Sequence, residues 1–301
     1  MNNKNSKLNI QDSKLDKASR LPGQLKLRLI LFAIALLIAS IFYREALNNL
    51  SSAVIHREGS SHGIFVPFLS AFFLWTKRDS LIKSELKYDL LGIPVIVLGI
   101  ILTLIVTEPC SLRILEFIIV IAGLVLLLFG KRFFKEVSFP LFFLITIVPI
   151  PDDIYRRLAE AIRVVSFGGA RLVISILGIP FYHDENFIQL HNARLLVAIS
   201  CSGIRYLVSY FVFSLAYAYL FKTAIWSRIA VVISSIFISL LASVGRLSSI
   251  FILTHYISPK MAEHGPHILI SWCVFFIVLI VAISLDQHFQ KRLEKTEIQN
   301  T

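Results

Sequence analysis

Residues 111–130 have the sequence SLRILEFIIVIAGLVLLLFG, which is long and apolar enough to cross a lipid bilayer as a helix. Similar runs recur along the 301 residues, of which 56% are hydrophobic and 16% are charged. The mean hydropathy is +0.75, and soluble domains carry charge on about a quarter of their residues. These features predict an all-α polytopic membrane protein rather than a soluble domain.

Eight apolar spans can be placed along the chain, and the second and fifth are short for a full crossing. The first is interpreted as an uncleaved span rather than a secretory signal, because no small-residue cleavage site follows it. We expect a polar cytoplasmic tail (1–25), one membrane domain (26–286) and a basic cytoplasmic tail (287–301). The spans are 27–43, 62–76, 90–107, 111–130, 138–150, 203–221, 228–254 and 267–285.

Lysine and arginine predict the orientation of these spans. The formal net charge is +11, and basic residues follow every even-numbered span. By the positive-inside rule, those ends and both termini are cytoplasmic. The same rule accounts for the basic charge, so no nucleic-acid partner is predicted. The basic residues in question are Lys77, Arg78, Lys131, Arg132, Lys222, Lys291 and Arg292.

The segment from Pro151 to Ser200 is then predicted to lie outside the cytoplasm. It contains an amphipathic stretch over residues 154–177, which predicts a helix that lies in the interface or packs on the bundle. Residues 187–197 favour a short β-hairpin with its turn at 191–193. No internal repeat of the kind found in many transporters occurs in the sequence.

Three reactive side chains are predicted to reach the same outer face. Cys201 lies in a polar island, ISCSGIR at residues 199–205, directly before the sixth span. Arg246 follows Arg228 by 18 residues, which is about 27 Å of helix and nearly the thickness of the hydrocarbon core. His267 opens the eighth span at that face. The topology therefore predicts that Cys201, Arg246 and His267 share one depth.

These side chains have the chemistry of a thiol nucleophile and its helpers. A thiol with an ordinary pKa of about 8.5 becomes more nucleophilic at a helix N-terminus beside cations such as Arg205. His267, or His264 in the same loop, can carry the thiol proton to a leaving amine. Arg246 can stabilise an oxyanion, and an arginine inside a span usually has a function.

Other interpretations use the remaining residues. Cys273 inside the eighth span indicates packing, and Cys110 in an outer loop is interpreted as a spectator or a partner of another thiol. The sequence contains no CxxC, HExxH, GxGxxG or P-loop motif, so no metal or cofactor is predicted. A transporter-like bundle needs acids within its spans, where Glu116 is the clearest one. A non-catalytic membrane component of an exopolysaccharide assembly system is the further alternative.

Several motifs occur in an order that resembles one family. They are SHGIFVP at 61–67, VPIP at 148–151, LGIP at 177–180, CSGIR at 201–205, Arg246, and His267 followed by Trp272. Over residues 40–286 the chain resembles the exosortases, membrane cysteine transpeptidases proposed to process proteins with a C-terminal PEP-CTERM sorting signal. Ser243 and Ser271 depart from the family pattern, which often has Asn and Gly at those positions.

The resemblance implies acyl transfer at the periplasmic face of a bacterial inner membrane. Cys201 is implied to form a thioester with the substrate, with Arg246 and His267 completing the catalytic set. Supporting positions are Arg205, His62, Ser202 and Gly203. The implied partners are proteins with PEP-CTERM sorting signals, the lipid bilayer, and a surface lipid or glycan as a possible acceptor.

Overall fold

The computed structural model describes residues 25–56, 61–84, 86–105, 112–199 and 202–299. They form two compact units, one ending at Pro149 and the other beginning at Ile150. The helices are α1 (Leu25–Phe42), α2 (Arg44–His56), α3 (Phe65–Thr76), α4 (Arg78–Lys83), α5 (Gly92–Ile105), α6 (Leu112–Leu144), α7 (Asp152–Ile176), α8 (Ile204–Phe221), α9 (Ile225–Tyr256) and α10 (His264–Gln299). Short 3₁₀ turns cover Ser61–Ile64, Ile145–Ile147 and Pro259–Ala262.

The membrane character is confirmed, but eight transmembrane helices are not. Within the described residues, five segments have the length and hydropathy to cross a bilayer. The predicted second and third spans are shorter apolar helices, at His62–Thr76 and Gly92–Ile105. The predicted fourth and fifth spans are the two arms of one element. The five segments are Leu25–Phe42, Leu112–Ile147, Ile204–Phe221, Ile225–Tyr256 and Ile268–His288.

Gly130 is the point at which α6 breaks into its two arms. Its backbone has φ 85° and ψ 174°, a conformation that glycine adopts readily because it has no Cβ to clash with the main chain. The break exposes helix carbonyls, and an extended segment from the α4–α5 connection uses them. Lys87 donates its N–H to Phe129 O at 3.4 Å, and Asp89 donates to Leu127 O at 3.2 Å. The carbonyl groups that the kink leaves without helical partners thus accept hydrogen bonds from this segment.

Small residues bring α5 and α6 together in the first unit. A Cβ on Gly92 would lie 2.5 Å from Gly123 O, and one on Gly99 would lie 2.7 Å from the Val120 side chain. Glycine at these positions allows the close helix approach that is common in membrane bundles. Ala39 and Tyr43, where α1 ends, pack on Val120 in the same unit.

The second unit begins with the predicted amphipathic helix, which is confirmed as α7. It buries one face, including Ile162, Phe167 and Ile174, and exposes Val164 and Leu172 on the other. The helix ends at Ile176, and Gly178 adopts a positive φ of 70° directly afterwards. This is the usual role of glycine after a helix C-terminus.

The predicted hairpin is confirmed and has a third strand. The strands are β1 (Tyr182–Asp184), β2 (Phe187–Gln189) and β3 (Arg194–Leu196), in the order β1-β2-β3 and antiparallel throughout. Register pairs Gln189 with Arg194 and Phe187 with Leu196. One face of the sheet packs through fully buried Ile188 onto Phe167 of α7 and Phe251 of α9. This small sheet ends a few residues before the block that contains Cys201.

Candidate active site

Ser200 and Cys201 lie outside the described residues, so the site is defined by what surrounds them. On the far side of Cys201, the chain is anchored at Ser202, whose side chain is fully buried. Ser202 N donates to Ile199 O at 2.9 Å. The Ser202 hydroxyl accepts the N–H of Ile204, the first residue of α8, at 3.3 Å. The described residues on either side of Ser200 and Cys201 are therefore hydrogen-bonded to each other.

Gly203 gives this connection its turn. It has φ 86° and precedes α8 directly, and a side chain at such a φ costs about 1–2 kcal/mol. Space is also lacking, because a Cβ on Gly203 would lie 2.6 Å from Ser243 Cβ and closer still to its hydroxyl. The glycine of the CSGIR motif is therefore required both by its backbone conformation and by contact with α9.

Ser243 is the residue of α9 that holds the block in place. Its hydroxyl donates to Ser202 O at 2.9 Å, and both residues are fully buried. Ser166 of α7, also fully buried, donates to the same carbonyl at 3.5 Å. A buried hydrogen bond of this kind is costly to lose, at about 1–3 kcal/mol. Two helices thus fix the main chain directly after Cys201.

Arg246 lies one helical turn beyond Ser243, on the same side of α9. It is 6% exposed, and its guanidinium carbon lies 5.4 Å from the centroid of the Tyr206 ring. Tyr206 belongs to the first turns of α8, a few residues after Cys201. The structure therefore brings the Arg246 guanidinium to the first turns of α8.

Tyr206 also connects this cluster to α10. Its hydroxyl donates to Ser271 O at 2.7 Å, and its ring stacks on Phe275 with centroids 6.0 Å apart. Ser271 follows His267 by one helical turn, and the backbone of His264 and His267 forms the first turn of α10. The Tyr206 side chain thus contacts Arg246 of α9 and donates a hydrogen bond to the main chain of α10.

The remaining predicted residues lie in different surroundings. Arg205 is exposed at the start of α8. His62 belongs to the first unit, where its Nε2 lies 3.1 Å from Thr146 O. Cys273 is exposed on α10, which disagrees with interior packing of its thiol, and Cys110 lies outside the described residues. The described part of the chain contains no group of three His, Cys, Asp or Glu side chains arranged to hold a metal.

A second buried arginine in this unit has a carboxylate partner. Arg163 of α7 is 5% exposed, and its Nε donates to Glu160 Oε2 at 2.9 Å. This hydrogen bond raises the pKa of Arg163 and lowers the pKa of Glu160. Arg246 places its guanidinium over the electron-rich face of the Tyr206 ring, a cation–π contact.

Three residues of the site were not predicted from the sequence as functional: Tyr206, Ser243 and Ser166. Ser243 had a signal, because it stands where the resembled family often has Asn, three residues before the arginine. Ser271 had a comparable signal, and it is the main-chain acceptor for Tyr206. Both departures from the family pattern thus fall on hydrogen bonds within the cluster. Tyr206 and Ser166 had no comparable signal in the sequence, since tyrosine recurs in α8 and serine recurs in α7.

Comparison with known proteins supports one family. The model of the transmembrane exosortase family matches residues 54–284, which is most of the chain and includes every residue of the cluster. No curated protein and no solved structure is detectably similar to the chain.

Proposed function

Because the chain belongs to the transmembrane exosortase family, we propose that it is a cysteine transpeptidase whose nucleophile is Cys201. Its proposed substrates are proteins that carry a C-terminal PEP-CTERM sorting signal. The proposed site of reaction is the periplasmic face of a bacterial inner membrane, with both termini in the cytoplasm.

The observation that carries the proposal is the hydrogen bond from Ser243 to the carbonyl of Ser202. This bond attaches the residue after Cys201 to α9, one turn before Arg246. Arg246 is buried there, and positioned cations are what acyl transfer needs around a developing oxyanion.

The proposed reaction proceeds through a thioester. The start of α8 and the nearby guanidinium favour the Cys201 thiolate, which attacks the scissile carbonyl carbon. Arg246 stabilises the negative charge on the carbonyl oxygen while the tetrahedral intermediate exists. Collapse breaks the C–N bond, and His267 supplies the proton that the leaving amine requires. His264 is the alternative proton carrier.

Release of the product completes the cycle. Water, or an amine or hydroxyl of a surface lipid or glycan, attacks the thioester carbonyl and loses a proton to the same histidine. Cys201 returns as the thiolate, and the substrate's C-terminal segment has already left. In this scheme Ser202 and Gly203 hold the nucleophile, while Arg205 and His62 are supporting residues.

The decisive experiment is Cys201→Ala, with a co-expressed PEP-CTERM reporter whose cleavage is followed by its mass. We expect processing to be lost in Cys201→Ala, Arg246→Ala and His267→Ala at unchanged protein level. Cys273→Ala is the matched control, because it removes an exposed thiol of the same protein and should process normally. Normal cleavage by the Cys201→Ala protein would refute the proposed nucleophile.

One observation favours the transporter-like alternative enough to test it. Glu116 of α6 is 3% exposed, and neither of its carboxylate oxygens accepts a hydrogen bond from the described residues. If Glu116 carried a coupling proton or ion, Glu116→Gln would abolish function as completely as Cys201→Ala. We expect Glu116→Gln to process the reporter within twofold of the unmodified protein, because the transpeptidase reaction needs no coupling acid.

A further inference from the structure

The outer edge of the small sheet has main-chain groups that no described residue uses. Val197 N donates to Asn186 O at 2.8 Å, next to the pairing of β2 with β3. Because hydrogen-bonded and non-hydrogen-bonded pairs alternate along an antiparallel ladder, Arg194 and Leu196 direct their N–H and C=O groups away from β2. Neither residue's main chain makes a hydrogen bond within the part of the chain that the structure describes.

Free edges of this kind recruit other strands unless they are protected. β3 contains no proline and no β-bulge; its protective features are its length of three residues and the charge of Arg194. Both outward-facing residues are exposed, Leu196 to 56%. The edge therefore presents two donors and two acceptors in the geometry of a strand.

The exposed face beside this edge is apolar with one positive charge. Phe187 and Leu196 share this face, opposite fully buried Ile188. The Arg194 guanidinium carbon lies 4.5 Å from the Phe187 ring centroid, which fixes the charge above the sheet. Arg194 has no carboxylate partner among the described residues. The face is complementary to a segment that carries apolar side chains and an acid.

The edge is continuous with the nucleophile block. Leu196 precedes Cys201 by five residues, a stretch that spans at most about 17 Å when extended. Buried Val197 holds the near end of that stretch to the sheet, and Ser202 is held by Ser243 at the far end. A peptide bound along β3 therefore lies beside the segment that precedes Cys201 in the chain.

We propose that an extended segment of the protein substrate binds to β3 as a fourth strand, with an acidic side chain at Arg194. The inference rests on the proposed function, because it assigns the substrate-binding surface of that reaction. Strand addition suits a peptidase, since it extends the chain, exposes the scissile carbonyl and draws affinity from main-chain hydrogen bonds. Specificity then comes from the alternate side chains that face Arg194 and Leu196.

Proline at position 196 tests the edge. Leu196→Pro removes an N–H that pairs with nothing in the fold and obstructs an incoming strand. Leu196→Ala keeps that N–H, and His183→Pro places the same change on the outer edge of β1. We expect reporter processing to fall at least tenfold in Leu196→Pro, at an unchanged rate of Cys201 alkylation by a small maleimide. Leu196→Ala should lose clearly less activity than Leu196→Pro, because it keeps the edge N–H, and His183→Pro should process within about threefold of the unmodified protein. Normal processing by Leu196→Pro, or an equal loss in His183→Pro, would overturn the proposal.

A charge exchange tests the role of Arg194. Arg194→Glu should slow the processing of a reporter with an acidic residue in the bound segment at least tenfold. Changing that acid to lysine in the reporter should restore at least a third of the rate. If Arg194→Glu processes the acidic reporter as fast as the unmodified protein does, the acid does not bind at Arg194.

Cross-linking separates failure of this proposal from failure of the proposed function. With all three native cysteines replaced, single cysteines at positions 194, 195 and 196 are tested against a reporter with one cysteine moved along its segment. We expect disulfides from 194 and 196 at alternate reporter positions, and few from 195. This result needs no chemistry at Cys201. If no cross-links form while processing still depends on Cys201, the proposal that substrate binds to β3 is refuted and the proposed function stands. Labelling of positions 194 and 196 by a bilayer-restricted probe would likewise refute binding at β3. Cross-links without Cys201-dependent processing in the parent protein refute the proposed function alone.

Discussion

The hydroxyl of Ser243 donates a hydrogen bond to the carbonyl of Ser202 across 2.9 Å, although the two residues are 41 positions apart in the chain. Both are fully buried, so this bond is sheltered from water. It attaches the main chain that follows Cys201 to the helix that carries Arg246. The proposed nucleophile and the proposed oxyanion-stabilising residue are thereby connected through one side chain.

Ser243→Ala should slow processing without unfolding the protein. The change leaves the Ser202 carbonyl with only the 3.5 Å contact from Ser166, and a buried acceptor that loses its partner costs about 1–3 kcal/mol. We expect a roughly tenfold lower processing rate. The matched control is Ser234→Ala, an exposed serine on the same helix that bonds only to Val231 O. Equal rates for the two variants would contradict a positioning role for Ser243.

Gly203→Ala should be far more damaging than Gly178→Ala. Both glycines have positive φ, 86° and 70°, so alanine at either position meets about 1–2 kcal/mol of backbone strain. Only Gly203 also contacts Ser243, whereas nothing lies within 4 Å of a Cβ on Gly178. We expect Gly203→Ala to abolish processing and lower Tm by several degrees more than Gly178→Ala does. Thermal unfolding in detergent gives the comparison, which fails if the two variants behave alike.

Tyr206→Phe should affect the reaction more than Tyr210→Phe does. Each change removes a hydroxyl that donates to a main-chain carbonyl of α10, Ser271 O at 2.7 Å for Tyr206 and Phe275 O at 2.8 Å for Tyr210. Each variant therefore loses one comparable hydrogen bond. Only Tyr206 contacts Arg246, and only its acceptor, Ser271, is one helical turn from His267. We expect at least fivefold slower processing for Tyr206→Phe, and less than twofold for Tyr210→Phe. Similar rates for the two would indicate that Tyr206 serves stability alone.

The Glu160–Arg163 pair should make stability depend on pH in the acidic range. The guanidinium holds the pKa of Glu160 below its ordinary value of 4.5. A carboxyl whose pKa is lower in the folded state stabilises the fold above its unfolded pKa, and that contribution disappears as pH falls through the folded pKa. The side chain of Glu160 is 46% exposed, so the effect is under about 1 kcal/mol.

The measurement for this pair is Tm as a function of pH. The advantage of the unmodified protein over Glu160→Gln should be complete at pH 6–7 and shrink below about pH 4.5. Arg163→Gln, which removes the cation of the pair, is the second variant and should lose the same pH-dependent advantage. An advantage that grows on acidification would have the wrong sign for this pair.

The membrane-spanning class, the amphipathic α7 and the β2–β3 hairpin could be predicted because each depends on local patterns of hydropathy and turn residues. The number of crossings stays a prediction, since the runs at 111–130 and 138–150 correspond to two helical arms of α6 on either side of Gly130. What could not be predicted is the extended segment at Lys87 and Asp89, whose N–H groups satisfy the carbonyls at the break. Hydropathy carries no information about such a partner.

The candidate site could likewise be predicted only in part. The reactive residue types and the prediction of their common depth came from the sequence, since charge bias orients the spans and helix rise sets how far each residue reaches. Their precise neighbours did not, because a hydrogen bond or ring contact between distant positions has no periodicity to detect. Tyr206 is one of several aromatic residues in α8, and only its contacts with Arg246 and Ser271 distinguish it.

By itself, the sequence determined that this chain is a helical membrane protein, and it predicted that a thiol, an arginine and a histidine share one depth. It could do so because bilayer thickness and helix rise convert sequence position into depth. The tertiary structure decided how α8, α9 and α10 meet, through Ser243 on the carbonyl of Ser202 and Tyr206 on the carbonyl of Ser271. The reason is physical: depth is set by each helix separately, whereas lateral neighbours are set by packing between helices.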